Sequence, residues 1–235
     1  MKKKVLGIAA LVCALSVSCL LGASACNGGD NADTDAEKVK AAPSIEVTKE
    51  QWDEAFEKTL EATNLTVRTT GAHTDGSELT SYSYAFDNQA YENTVMKKVV
   101  NKEVVAGYDA IFYYTIEGTT KYCANRIEKD WEVYAEEYGK LTSSLQYYYS
   151  TAQAYLETLD YDNYTFADGK YSFKPVNGSN TITATVKIGE NGCLSFFEYQ
   201  NIYATYSMIF YNYGSTSYKV PSEVKKVIDD YKANN

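Results

Sequence analysis

Apolar positions change their spacing several times along this chain, and each change predicts an element. Between Thr48 and Ala62, Trp52, Phe56 and Leu60 recur four apart with Ala55 beside them, while Asp53, Glu54, Glu57 and Lys58 take the other side. That spacing predicts a helix with one apolar face, and Thr48 followed three residues later by Gln51 has the form of a capping box. Period two then takes over. Leu65 and Val67 alternate with Thr66 and Arg68, and His73-Thr74-Asp75-Gly76 turns the chain into Leu79–Phe86, where Tyr82, Tyr84 and Phe86 share a face. Asp87-Asn88 is a further turn before a strand through Tyr91, Val95 and Val99. Tyr108, Ala110, Phe112, Tyr114 and Ile116 form the clearest alternation, and Glu117-Gly118 leads into Lys121–Ile127. Strands joined by such short turns predict an antiparallel meander.

The pattern breaks after Trp131. Leu141, Leu145, Tyr148, Ala152, Tyr155 and Leu159 lie at helical spacing, so a helical insertion is expected there. Hairpin logic returns with Tyr164–Phe166 and Lys170–Lys174 about Ala167-Asp168-Gly169, then Thr181–Ile188 and Leu194–Asn201 about Glu190-Asn191-Gly192. Tyr203–Tyr213 and Ser215–Val220 read as the last strands, and Pro221-Ser222 opens a short helix through Val224, Val227, Ile228 and Tyr231. About ten antiparallel strands in one sheet would curl strongly through their intrinsic twist. With an apolar helix face to cover, the economical arrangement is a sheet wrapped around helices.

The N-terminus follows a different rule. Lys2, Lys3 and Lys4 precede an uncharged, mostly apolar run from Val5 to Leu21, followed by Gly22, Ala23, Ser24, Ala25 and Cys26. A basic start, an apolar stretch and small residues before a cleavage point make a secretory signal. Small residues ending at a cysteine have the form of a lipobox, with Ala23 where such motifs usually carry Leu. Cys19 offers a looser version of the motif, and an uncleaved anchor or plain secretion are the rival readings. In this reading residues 1–25 are a signal peptide, Cys26 is the acylated anchor on the outer face of the cell membrane, and residues 26–46 are a flexible acidic tether. A single α+β domain then occupies residues 47–235.

Composition narrows the chemistry. The chain has 235 residues and a net charge of −9, which becomes −12 once the three lysines of the signal are removed. That balance argues against a nucleic-acid partner, since phosphate binding relies on clustered Lys and Arg. The single histidine, His73, sits among turn residues, and catalysis there would require a nucleophile and an orienting acid brought to it in space. Asp160-Tyr161-Asp162-Asn163 has oxygen ligands but neither the spacing nor the distal glutamate of an EF-hand loop. Glu136-Glu137 and Asp229-Asp230 are adjacent in sequence and so diverge by about 100° on a helix, which suits no acid/base couple. No catalytic residue, metal site or cofactor is assigned. Cys123 and Cys193 would remain in the folded part, as a disulfide or as two free thiols. The 23 tyrosines suit strands, where a ring can be buried with its hydroxyl wet, or an aromatic groove for a lipid chain, glycan or peptide.

Taken together, the lipobox, acidic tether, capped helix, meander, helical middle and hairpin series resemble Gram-positive surface lipoproteins of the LolA–LppX-like superfamily. The likeness is one of element order and covers about Val47 to Val220. It implies an α+β fold with a strongly curved antiparallel sheet, a half-open β-barrel, and helices on its concave side. Several members of that superfamily carry lipids or lipoproteins. On that model Phe112, Tyr114, Phe196 and Phe210 are candidates to line a hydrophobic ligand site beneath the helix bearing Leu60. The alternative is a non-enzymatic surface module that meets glycan or protein partners through exposed tyrosines.

Overall fold

The computed structural model describes residues 41, 43–86, 88–137, 159–173 and 182–235. The proposed signal peptide, Cys26, and the expected helix over Leu141–Leu159 (apart from its last residue) lie outside the described residues. Eleven strands form one antiparallel sheet. They are β1 (Leu65–His73), β2 (Ser77–Phe86), β3 (Gln89–Val100), β4 (Glu103–Glu117), β5 (Thr120–Ile127), β6 (Asp130–Glu137), β7 (Tyr164–Ala167), β8 (Lys170–Phe173), β9 (Thr183–Ile188), β10 (Leu194–Gln200) and β11 (Ala204–Tyr211). Among the described residues two α-helices, α1 (Lys49–Glu61) and α2 (Ser222–Asn234), pack on it.

The order across the sheet is β6-β5-β4-β3-β2-β1-β11-β10-β9-β8-β7. The chain therefore starts in the middle at β1, meanders out to one edge, resumes at the other edge with β7, and meanders back to close on β1 through β11. Eight cross-strand partners, Thr66↔Tyr211 through His73↔Ala204, stitch the two halves together. β6 and β7 stay unpaired with each other, so the barrel is half-open, as the α+β expectation required.

Two elements differ from the sequence reading. Asp130–Glu137 is a strand, not a break. Its residues alternate Trp131, Val133 and Ala135 with Glu132, Tyr134 and Glu136, and acidic side chains are affordable because the strand forms an edge. Ser215–Val220, expected as a strand, joins no ladder of the sheet: Ser215 closes a turn onto Asn212 O and the residues after it form neither helix nor strand. Asn212 and Gly214 adopt positive φ (57° and 69°) and lift the chain off the sheet. Asn64 then holds it: Thr216 N donates to Asn64 Oδ1 at 2.7 Å, and Asn64 Nδ2 donates to Thr216 O at 3.2 Å.

The helices lie on opposite faces of the sheet, not both on one side. Paired residues share a face and neighbours along a strand do not. Val67 and Phe210 pair directly and belong to the core under α1, with Leu65, Met208, Phe197, Val186 and Leu194. Thr66, Tyr84, Tyr91, Tyr113 and Ala124, one residue out of phase, form the opposite face. Four of these five pack with Val220, Val224 and Ile228 beneath α2.

α1 forms as its sequence dictates. The Thr48 hydroxyl accepts from Gln51 N and the Gln51 side chain accepts from Thr48 N at 2.9 Å, the reciprocal capping box. Trp52 is its anchor, 1% exposed, with the rings of Phe56, Tyr164 and Tyr171 about it at 5.1, 4.9 and 5.0 Å. Its indole N–H donates to Leu159 O at 2.7 Å. Thr59, rather than Leu60, completes the buried stripe. Ahead of α1 the chain already engages the sheet at Ser44, three residues before the expected domain start. Ser44 N donates to Gly169 O at 3.1 Å, and Ile188 N donates to Ser44 Oγ at 2.9 Å.

Candidate functional site

The face that carries α1 continues across β2–β5, where its composition changes. Three rows of paired residues cross it. Leu65, Ala85, Ala90, Tyr114 and Cys123 make the first, and Val67, Ser83, Glu92, Phe112 and Asn125 the second. Thr69, Ser81, Thr94 and Ala110 make the third. The large side chains of the α1 core give way to Ala, Ser and Thr on β2 and β3, and large ones reappear on β4. The result is a trough in side-chain size, not an open groove: its small residues are buried, Ala85 at 2% and Ala90 at 4% exposure, beside the half-buried aromatic wall of Phe112 and Tyr114. On the other face the same strands carry Tyr84, Phe86, Tyr91, Ile111 and Tyr113, packed against α2.

A polar cluster marks the floor. The hydroxyls of Ser81 and Thr94 both donate to Glu92 Oε1, at 3.0 and 2.8 Å, and lie 3.0 Å from each other. Bonds to a carboxylate are the stronger kind, so these three side chains hold one another in place. Ser81 and Ser83 are each 1% exposed and Thr94 8%. Beside Ser81, Thr69 is buried and its hydroxyl finds no hydrogen-bond partner among the described residues. A buried hydroxyl left unpaired costs free energy, and Thr69, 3% exposed, bears that cost within this floor.

At the wall, Lys121 Nζ lies 5.1 Å from the Tyr114 ring and 2.8 Å from Glu136 Oε1. The Cys123 thiol is buried, and loss of solvent pushes its pKa up, away from the thiolate a nucleophile needs. Burial, with Cys123 beside it, raises the Tyr134 hydroxyl to about 12. Cys193 sits across the sheet in the turn before β10, and the two cysteines are separate free thiols.

The four candidate lining residues divide. Phe112 and Tyr114 stand on the trough wall. Phe210 is on the same face but 3% exposed within the α1 core. Phe196 pairs with Ile209 and Lys187, one residue out of phase with Phe210, and therefore lies on the opposite face. Lys187 Nζ sits 5.4 Å from its ring there. Ser81, Ser83, Glu92 and Thr94 were not anticipated. Their signal is the strict small–aromatic alternation of Ser81-Tyr82-Ser83-Tyr84-Ala85-Phe86, which gives one face the aromatic rings and the other only small side chains.

The other sequence candidates have structural partners. His73 Nε2 lies 3.0 Å from the Tyr206 hydroxyl. Asp160 caps a 3₁₀ turn by accepting from Asp162 N at 3.2 Å, and Lys49 Nζ lies 3.4 Å from Asp160 and 2.5 Å from Asp162. Glu136 pairs with Lys121, and Asp230 with Lys226 at 2.6 Å. Among the described residues no cluster of His, Cys, Asp and Glu could hold a metal ion, and no helix is long and apolar enough to cross a membrane. A cavity of about 170 Å³ lies at the foot of α2 between Gln89, Thr115, Glu117, Lys225 and Asp229. That is below the usual range for a ligand pocket, about 300–1,000 Å³, and the Lys232–Glu117 ion pair at 2.5 Å lies in its wall.

These features define an open antiparallel half-barrel with helices on both faces and a hydroxyl-floored trough on one. No family model matches the chain, and no curated protein matches it. Among solved structures it is similar to the Mycobacterium tuberculosis lipoprotein LppX. That match has 15% identity and a TM-score of 0.33, and covers 73% of this chain and 95% of that one.

Proposed function

We propose that this protein is a lipid-anchored, extracytoplasmic lipoprotein that binds a hydrophobic ligand in the trough over β2–β4 and performs no catalysis. Cys26, acylated after removal of residues 1–25, supplies the anchor. The observation that carries the binding reading is the floor: Ser81, Ser83, Ala85, Ala90 and Ala110 set small, buried side chains where the opposite face of the same strands carries tyrosines. Phe112 and Tyr114 offer the apolar wall, and the Glu92 cluster with Thr69 suits the polar end of an amphiphile.

The rival reading is glycan or protein binding through outer tyrosines. Of the described tyrosines only Tyr134 and Tyr203 are exposed. Native mass spectrometry of the purified chain tests the proposal. A co-purifying lipid is expected, and Ser83→Phe, which fills the floor, should displace it while circular dichroism stays unchanged. A wild-type chain that carries no lipid, and takes none up from mixed micelles, would refute the binding reading.

A further inference from the structure

Eight large apolar residues are exposed among the described ones, and six of them gather at one end of the sheet. Val100, Val104 and Val105 surround the β3–β4 turn, Ile127 precedes the β5–β6 turn, and Ile202 and Tyr203 form the β10–β11 turn. Antiparallel order puts these turns, with the β1–β2 turn at Thr74–Gly76, on the same rim. Ser44, where the chain from the N-terminus meets the sheet, is beside Gly169 and Ile188 at the other end.

The β3–β4 hairpin projects. β2 accompanies β3 only as far as Lys98, and β5 accompanies β4 only from Ala110. Beyond them Asn101 and Lys102, both at positive φ, close a free tip. The consecutive Val104 and Val105 are 61% and 51% exposed beside a β-bulge, and every residue from 101 to 107 is exposed, so both faces of the tip are bare. Ile202 and Tyr203 are also consecutive, at 59% and 67%. A partner protein that covered one face of such a tip would leave the other wet. A fluid apolar phase entered tip-first covers both.

We infer that this rim docks shallowly into a lipid surface, the β3–β4 and β10–β11 tips entering the headgroup–acyl boundary. The charges suit that occupant. Lys97 and Lys102 flank the valine tip beside Glu103, while Lys98 pairs with Asp75 at 3.8 Å, and Lys side chains reach outward from an interface to anionic phosphate. Tyr203 is the residue type that favours that boundary. The geometry also rests on the anchor reading. The 18 residues from Cys26 to Ser44 extend to about 60 Å at most, whereas β4, with 15 residues, runs about 50 Å. A domain tethered at its far end can therefore lie down and bring the rim to the membrane that holds it, placing the trough where a lipid could enter from the bilayer.

The test uses the full mature chain in vesicles of phosphatidylcholine and phosphatidylglycerol, with an environment-sensitive fluorophore on Val105→Cys in a Cys193→Ser background. A second preparation carries the probe on Glu190→Cys at the opposite end. The Val105 probe should shift to the blue and be quenched by acyl-chain spin labels, while the Glu190 probe stays aqueous. Val104→Asp combined with Ile202→Asp should abolish the shift without changing circular dichroism. Equal, aqueous emission from both probes overturns the inference, and shielding that instead grows with protein concentration would assign the tip to protein contact. Mass spectrometry of the same samples reads the acyl adduct, so failure of the anchor registers separately. A chain without adduct is scored by the same probe at saturating vesicle concentration.

Discussion

Thr59 is the point where α1 is bonded to the sheet, and its replacement separates two accounts of that contact. Its hydroxyl donates to Ala55 O at 2.7 Å, accepts from Leu194 N at 2.9 Å, and lies 3.3 Å from the Tyr213 hydroxyl. Tyr213 in turn donates to Leu194 O at 2.7 Å. Thr59 and Leu194 are both fully buried, so no water can replace a lost partner. Thr59→Val keeps the branched shape but removes the acceptor, leaving the Leu194 N–H buried and unpaired at about 1–3 kcal/mol. Thr59→Ser keeps both bonds and loses one methyl, about 1 kcal/mol. For a domain of this size the valine variant should melt roughly 4–8 °C lower, taking a loss of about 2 kcal/mol. Urea unfolding followed by circular dichroism would rank the three proteins wild type, Ser, Val. Burial alone predicts the reverse order for the two variants, so a valine variant as stable as the serine one would refute the hydrogen-bond account. A cycle with Tyr213→Phe should show coupling of about 0.5–3 kcal/mol, because both hydroxyls serve one backbone unit.

The remaining predictions concern the other face and the turns. Tyr218 stacks on Tyr84 and Tyr91 with centroids 4.2 and 4.7 Å away, so Tyr218→Ala should cost about 2–4 kcal/mol in denaturant unfolding, and Tyr218→Phe far less. Burial raises the hydroxyl pKa of Tyr91, Tyr113, Tyr213 and Tyr218, and brings Tyr134 to about 12. The neutral forms therefore favour the folded state. Their stabilisation is complete below the unfolded tyrosine value of about 10 and is lost as pH rises through the folded values. Ultraviolet tyrosinate titration should show a late-ionising group that vanishes in urea. Gly76 has φ +85°, and a Cβ there would stand 2.5 Å from Val99 O; Gly76→Ala should lower stability by more than about 1 kcal/mol, read as a falling urea midpoint.

Much of the fold was legible because its signals are local. The Thr48–Gln51 box placed the start of α1 to the residue. Most strands could be read from alternation interrupted by turns whose closing residues, Gly76, Gly118, Gly169 and Gly192, adopt positive φ. What escaped depends on pairing. β6 is rich in acids because it has a neighbour on only one side, and a propensity reading scores that as loop. Tyr218 and its flanks pair with no strand and pack over a face instead of joining an edge, and period two cannot separate those cases. The division of Phe196 from Phe210 is likewise a matter of register: each strand's alternation is plain, but which phase faces α1 follows only once Ile209, not Phe210, is seen opposite Phe196.

The tyrosine abundance has a physical reason in that same register. A helix on each face leaves a single sheet without one uniformly polar side, so both phases of each central strand need cover, and the chain divides the task by residue size. On β2, Tyr82, Tyr84 and Phe86 fall in the phase toward α2, while Ser81, Ser83 and Ala85 take the other. Tyrosine suits the first role because Tyr84, Tyr91 and Tyr218 can stack as flat rings near a helix that covers only part of the sheet. Having packed one side fully, the strands can leave the other shallow without losing their register, since a one-residue slip would put tyrosines on the floor and serines beneath α2. The small side chains of the trough are thus kept in register by the aromatic packing behind them. A double change of Tyr84→Ala and Tyr91→Ala should loosen the Glu92 floor, and with it any bound ligand, although neither residue touches that face. Hydrogen exchange at the β2–β3 amides would detect it, and unchanged protection there would sever the link between the two faces.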